Sequence, residues 1–189
     1  MSKKSDKDKQ LGLVRDEILN CKFCLKRAKG LLVPGEGNSN ADVVFVGEAP
    51  GKEEIKTGLP FIGRAGKLLR ELITSVGITP EEVFITSAVK YLPQTYVTPK
   101  PEDIEHGRTH LLEQLKVINP KIIVVLGNTS AQSVLNQKFS ISQVHGNVIS
   151  QNGYTYFISY HPAAPLYSPK LRETIYKDFK KLKRIIKKS

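Results

Sequence analysis

The chain has 189 residues, 40% of them hydrophobic and 25% charged, the profile of one soluble domain able to bury a core without disulfide support. Its formal net charge of +11 favours a polyanionic partner, most simply nucleic acid. No apolar run approaches the ~20 residues of a membrane span, and the opening MSKKSDKDKQ lacks the apolar centre of a signal peptide. The two cysteines, spaced as Cys21-Lys22-Phe23-Cys24, make no disulfide framework, so a cytoplasmic protein without membrane contact is expected.

Residues 1–9 are polar and mixed in charge and read as a disordered tail, with a single domain over 10–189. Leu11 to Asn20 can form a short helix that presents Leu11, Val14, Ile18 and Leu19 and leads into the CxxC. Arg27 to Asn40 reads as an ordered loop turning at Pro34-Gly35-Glu36-Gly37. Val43-Val44-Phe45-Val46 is apolar on both faces, as in a parallel sheet covered by helices. After Gly47-Glu48-Ala49-Pro50-Gly51, a helix is expected over Arg64 to Val76, with Leu68, Leu69, Leu72 and Ile73 at helical spacing.

Val83 to Thr86 is a second short strand, Tyr91 to Pro101 a proline-rich loop, and Glu102 to Ile118 a helix. Lys121 to Gly127 is the clearest strand, and Asn128 or Thr129 is placed to cap the helix that follows, through Leu135. Val144 to Ser150 and Tyr154 to Tyr160 alternate as a hairpin turning at Asn152-Gly153, and the second delivers His161-Pro162-Ala163-Ala164. In the last helix, Lys170 to Lys188, an inner stripe of Leu171, Ile175, Phe179, Leu182 and Ile186 faces away from nine Lys or Arg residues. The alternation of strand and helix predicts an α/β fold, a three-layer α/β/α sandwich around a parallel sheet.

Chemistry-bearing residues gather in Asp42 to Gly66. Two glycines and a proline end the first strand and leave backbone open to a ligand. Glu48, Glu54 and Phe61 follow, at the carboxyl end of a parallel strand, where open α/β sheets hold their ligands. The chain has neither a G-x-G-x-x-G nor a P-loop lysine motif, and Glu48 stands where a phosphate cradle would avoid a carboxylate, which argues against a generic nucleotide-binding protein.

GEAPG after a buried strand, then LPFIGRAGKLL, then HPAA after the last strand, resemble the uracil-DNA glycosylase superfamily, and in particular its family-four, iron–sulfur enzymes. The resemblance covers Cys21 to about Phe179. It implies a central four-stranded parallel sheet and an enzyme that flips deoxyuridine, or a related deaminated base, out of DNA and hydrolyses the bond between base and sugar. It gives Phe61 the role of stacking on the flipped base and His161 that of hydrogen-bonding uracil O2 as charge develops there. Glu48 and Glu54 match the acidic positions that hold the attacking water and favour a cationic sugar. Gly47, Ala49 and Gly51 would offer backbone groups to the base and a flanking phosphate. Pro162, Ala163 and Ala164 would press on the minor groove, with Pro165 and Leu166 as an apolar wedge. The expected partner is DNA containing uracil or another deaminated base, bound by a monomer.

Two departures from the family pattern stand out. Ser87 occupies the place of an asparagine that reads the uracil edge by both donating and accepting, so base choice is open. Of the four cluster cysteines only Cys21 and Cys24 remain; Tyr91 and a position near Gly107 stand at the other two, which argues against a [4Fe–4S] cluster. His106 and His110, one helical turn apart, would with Cys21 and Cys24 supply the donors of a structural zinc site. No cofactor is required for the chemistry itself. His145 falls where the family often carries a basic residue near DNA. The departures leave a second reading, a glycosylase-fold module that binds uracil-containing or damaged DNA without turning it over.

Overall fold

The structure, a computed structural model, describes residues 5–93, 98–137 and 140–187. In chain order the helices α1 (Asp6–Leu19) and α2 (Lys22–Arg27) precede strands β1 (Glu36–Gly37) and β2 (Val43–Gly47). A short α3 (Glu54–Thr57) and then α4 (Arg64–Ser75) lead to β3 (Phe84–Ser87), α5 (Pro101–Ile118), β4 (Ile122–Leu126) and α6 (Asn128–Leu135). The chain continues through α7 (Ile141–Val144), β5 (Val148–Gln151), β6 (Tyr154–Ser159), α8 (Ala164–Tyr167) and α9 (Leu171–Ile186).

Among the described residues the strands form one sheet in the order β1-β3-β2-β4-β6-β5. The inner four, β3, β2, β4 and β6, run parallel, as the resemblance implies. Two antiparallel edge strands extend it: β1, drawn from the loop expected over Arg27–Asn40, and β5. Every residue of β2 and β4 is buried, because helices cover both faces. On one face Phe45, Val124 and Phe157 meet Leu69, Leu72 and Ile73 of α4 and Ile175, Phe179 and Leu182 of α9. On the other, Val44, Val46, Ile123 and Val125 meet Leu111 and Leu115 of α5 and Val134 and Leu135 of α6. Alternate side chains of each strand feed opposite layers, which is the geometry of a three-layer sandwich.

Several expectations need correction. The tail predicted over residues 1–9 is helical from Asp6, because Ser5 and Asp8 close a capping box. Lys7 Nζ then donates to the Ile118 carbonyl at 2.7 Å, and Ser39 Oγ to Asp8 Oδ1 at 2.7 Å. Residues 1–4 lie outside the described residues, as do 94–97 of the predicted proline-rich loop. Neither Asn128 nor Thr129 caps α6: the cap is Gly127, at φ 96°, while Asn128 Oδ1 accepts from the Ile141 amide at 3.1 Å. The hairpin turns at Asn152-Gly153, both at positive φ, but Val144 belongs to α7 rather than to its first strand. No helix among the described residues is long and apolar enough to cross a membrane.

The parallel register aligns Gly47 with Ser87 and Leu126 with Ser159. The loops leaving β2, β3, β4 and β6 therefore open at one end of the sheet, and the amphipathic α4 and α9 brace it from below. Phe179, fully buried and stacked on Phe45 at 6.1 Å between ring centroids, ties α9 to the central strand. Phe179→Ala is expected to cost about 3–5 kcal/mol, read in urea unfolding as a lower midpoint with an unchanged slope.

Candidate active site

At the carboxyl end of the sheet lies a cavity of about 180 Å³ lined by residues including Ala49, Gly51, Glu54, Phe61, Ser87, His161 and Ala163. A wider cleft of about 310 Å³ beside α2 is lined by Arg27, Glu102, Asp103 and other polar groups, and Arg27 pairs across it with both acids. The smaller cavity has an apolar floor and sits where the strand ends converge, which makes it the candidate site.

The loop between β2 and α4 is held by one side chain. Glu54 Oε2 accepts from the Gly51 amide at 3.0 Å, and Oε1 from the amides of Ile62 and Gly63, both at 2.9 Å. This clasp fixes Phe61 at φ 51°, a left-handed conformation rare for an aromatic residue. Gly47 and Gly66 are glycine for the same reason, since a Cβ on Gly47 would overlap the Phe61 ring and one on Gly66 the Phe61 carbonyl. Phe61 is therefore wedged beside the cavity, its ring centroid 5.7 Å from that of His161.

His161 follows β6 by two residues. Its Nδ1 accepts from the Ala163 amide at 3.1 Å, an assignment that leaves the proton of the neutral ring on Nε2. Nε2 is buried and, among the described residues, has no partner. Burial pushes the imidazole down to about 4, with Glu54 pulling weakly the other way, so at neutral pH the site presents an uncharged N–H donor. Beside it, Glu48 Oε2 accepts from Thr129 Oγ1 at 2.6 Å. Glu48 is half-buried and does not line the cavity.

Ser87 does line the cavity, but its hydroxyl donates to the Val89 carbonyl at 2.8 Å. Its oxygen can only accept from a ligand. The sequence grouped Gly47, Ala49 and Gly51 as backbone contacts, yet the Gly47 carbonyl already accepts from Ala88 at 2.9 Å and the Gly51 amide is held by Glu54. Pro162 of the expected minor-groove loop and Pro165 of the expected wedge are buried, while Leu166 of the wedge and the neighbouring Tyr167 are exposed, at 43% and 88%. Ala164 begins α8 between them. His145, expected near DNA, bonds through Nδ1 to buried Asp178 at 2.9 Å. The sequence reading missed Thr129, which it treated as a cap, and the glycine packing around Phe61; the repeated glycines of PFIGRAG were the available signal.

A second cluster lies between α2 with its cap and α5. The donor atoms of Cys21, Cys24, His106 and His110 all lie within 4.8 Å of one another, with Cys21 Sγ 3.1 Å from His106 Nε2. Among the described residues His110 Nε2 is buried without a partner. Phe23 stacks on His106 at 3.9 Å, and the Arg27 guanidinium covers Phe23. The four residues could hold a metal ion. They do not fit the family's [4Fe–4S] cluster: the Tyr91 hydroxyl donates to Asp103, and Gly107 packs so closely on the Ala88 carbonyl that a side chain there would overlap it.

Because His161 is held below its ordinary value of 6.5, the unfolded chain binds a proton at this residue between pH 6.5 and about 4 that the folded chain refuses. Its contribution to stability is full above pH 6.5 and is lost as pH falls towards about 4. The wild type should therefore lose more stability across that window than His161→Asn, and the His161 imidazole should stay neutral by nitrogen NMR until near pH 4. An imidazole titrating near 6.5 would show that the ring is solvated.

The same geometry can be compared with known proteins. The family described as the uracil DNA glycosylase superfamily matches residues 34–187. The chain is 43% identical over 175 residues to a Type-4 uracil-DNA glycosylase of Archaeoglobus fulgidus, covering 88% of each protein. It is 40% identical over 187 residues to the Type-4 uracil-DNA glycosylase of Thermotoga maritima, covering 96% of this chain and 97% of that one. A Type-5 uracil-DNA glycosylase of Pyrobaculum aerophilum is 32% identical over 151 residues. The cavity end of the sheet, from Gly47 through His161, lies inside the matched residues 34–187, and the chain belongs to the uracil-DNA glycosylase superfamily.

Proposed function

We propose that the protein is a monofunctional uracil-DNA glycosylase of DNA base excision repair, which takes deoxyuridine or a related deaminated base out of the helix and leaves an abasic site. One observation carries this: a half-buried, neutral His161 whose buried Nε2–H, without a partner among the described residues, stands at an apolar cavity beside an aromatic ring. That cavity, about 180 Å³, is below the ~300–1,000 Å³ of pockets for drug-sized ligands and suits one base. Its relatives' shared name supplies the substrate class.

In the proposed reaction the base stacks on Phe61 and the bond between C1′ and N1 breaks, its electron pair leaving on the base. The charge spreads to O2, where His161 Nε2–H donates without giving up its proton. Water adds to C1′, oriented by Glu48, whose carboxylate Thr129 holds in place, and its proton ends on the released base or solvent. Glu54 acts at a remove, as the residue that positions Phe61. No cofactor enters these steps; Cys21, Cys24, His106 and His110 take a structural zinc ion, for which two thiolates and two imidazoles are a suitable set.

The DNA would be held by charge and by the loop after β6. Lysines exposed on α9 supply nonspecific, salt-sensitive affinity. Ala163 and Ala164 approach the minor groove, and Leu166 with Tyr167 fills the space the flipped base leaves. A single chain builds the whole cavity, so a monomer suffices, acting on DNA in the cytoplasm.

Excision from oligonucleotides carrying U:G, U:A, single-stranded U, hypoxanthine or xanthine tests the reading. Release of free base is expected, falling at least a hundredfold in His161→Ala with DNA affinity little changed, and falling likewise in Glu48→Gln. Binding of uracil-containing DNA without release would favour the noncatalytic module, to which the inward-turned Ser87 hydroxyl also points. Ser87→Asn, which restores a donor as well as an acceptor at the base edge, should raise uracil excision about tenfold; an unchanged rate would mean that Ser87 does not read the base.

A further inference from the structure

One buried cation takes no part in the proposed reaction. Lys90 is fully buried, and no carboxylate among the described residues pairs with it. Its Nζ donates to Thr86 Oγ1 and to the Ser87 carbonyl, both at 2.7 Å, and to Gln114 Oε1 at 2.8 Å. None of these oxygens has a proton to give back. Gln114 donates its amide nitrogen to the Pro34 carbonyl at 2.6 Å, an assignment that leaves Oε1 to accept. The Thr86 hydroxyl points its own proton to that carbonyl or to Gln114 Oε1, each at 3.1 Å. Three acceptors around one nitrogen require three N–H donors, which an ammonium has and an amine lacks. Burial works against the charge and pulls Lys90 down to about 7, with Cys24 opposing, while the three acceptors favour the protonated form. A buried ammonium without a counter-ion is less stable than an apolar side chain of the same length. Packing alone does not account for it.

Its position does. Ser87, whose carbonyl takes one of the three hydrogen bonds, lines the base cavity. Val33 lines it too, and the Val33 amide donates to the Lys90 carbonyl at 2.8 Å. Lys90 therefore stands behind the wall that these two residues form. A uracil anion spreads its charge over N1, O2 and O4. His161 Nε2–H serves O2 in the proposed reaction, whereas the Ser87 hydroxyl is turned to Val89 and shows a ligand only lone pairs. On the Ser87 side the positive group lies one layer back.

We propose that Lys90 is the electrostatic support of the leaving base: its fixed charge, held behind Ser87 and Val33, stabilises the negative charge that grows as the bond to C1′ breaks. The proposal rests on the glycosylase reading and adds a residue to it. Lys90 does not touch the base and transfers no proton. A neutral base in the cavity gains little from this field and a departing anion gains much, and only such a difference accelerates the step. Where water is excluded, a charge acts across several ångströms. Its desolvation is met once, in folding, and no group has to reorient as the bond breaks.

Leaving-group dependence tests this, by single-turnover excision from duplexes carrying uracil or 5-fluorouracil, whose fluorine makes the base a better leaving anion. Lys90→Met keeps the length and removes the charge, and should slow uracil excision about tenfold or more. It should slow 5-fluorouracil excision less, raising the ratio of the two rates about threefold, with affinity for uracil-containing DNA little changed. Equal slowing of both would show that Lys90 merely holds the wall, and no slowing that it plays no part; either result overturns the proposal. Gln114→Glu, which sets a carboxylate beside the ammonium, should give the same selective loss and serves where Lys90→Met does not fold. In the wild type, nitrogen NMR of Nζ at the pH of the assay should show an ammonium; a neutral amine there sinks the idea. If the wild type releases neither base, the glycosylase reading fails and takes this role with it.

Discussion

One carboxylate determines whether this site exists. The chain between β2 and α4 has little regular structure to occupy its backbone amides, and Glu54 gathers those of Gly51, Ile62 and Gly63 onto its two oxygens. A buried amide without a partner costs about 1–3 kcal/mol, so this acid gives an irregular loop one shape. That shape includes a left-handed Phe61, whose backbone strain of roughly 1–3 kcal/mol is borne by the clasp and by the glycines packed around it. The aromatic wall, the cavity floor and the neighbourhood of His161 all follow from it.

The electrostatics divide the molecule into two regimes. The outer surface is basic, and its charges act at long range in a screened solvent. The cavity is arranged oppositely, with a histidine kept neutral by burial and a serine hydroxyl turned away. A cation at His161 would bind an anionic base product more strongly, but it would cost desolvation before any charge had formed. In the proposed reaction, a neutral N–H donor is matched to charge that develops only during bond cleavage.

Much of this was legible in the sequence, for definite reasons. The β2 and β4 runs are apolar on both faces, which only a covered sheet explains, and α4 and α9 carry strict helical stripes. His161 and Phe61 stood out because polar or aromatic residues beside glycine and proline at strand ends are placed for chemistry. What escaped was whatever depends on a distant partner. Glu54 reads as one acid among several until the amides of Ile62 and Gly63 fold back onto it. Thr129 reads as a helix cap until β2 brings Glu48 alongside. The capping box at Ser5 was hidden in a run of mixed charge, and the two-residue β1 is too short to carry a period. The grouping of Cys21 and Cys24 with His106 and His110, by contrast, was read from the sequence, and the four do meet, brought together by the packing of α5 on Ala88 and Val89.

That packing also restricts what residue 107 can be. At Gly107 the helix backbone lies against the Ala88 carbonyl with no volume for a side chain, so a cysteine there could not be accommodated until α5 withdrew from the sheet. Withdrawal would separate His106 and His110 from Cys21 and Cys24 and unseat Tyr91 from Asp103. The close contact of one glycine thus ties the distance of α5 from the sheet to the meeting of four residues that could hold a metal.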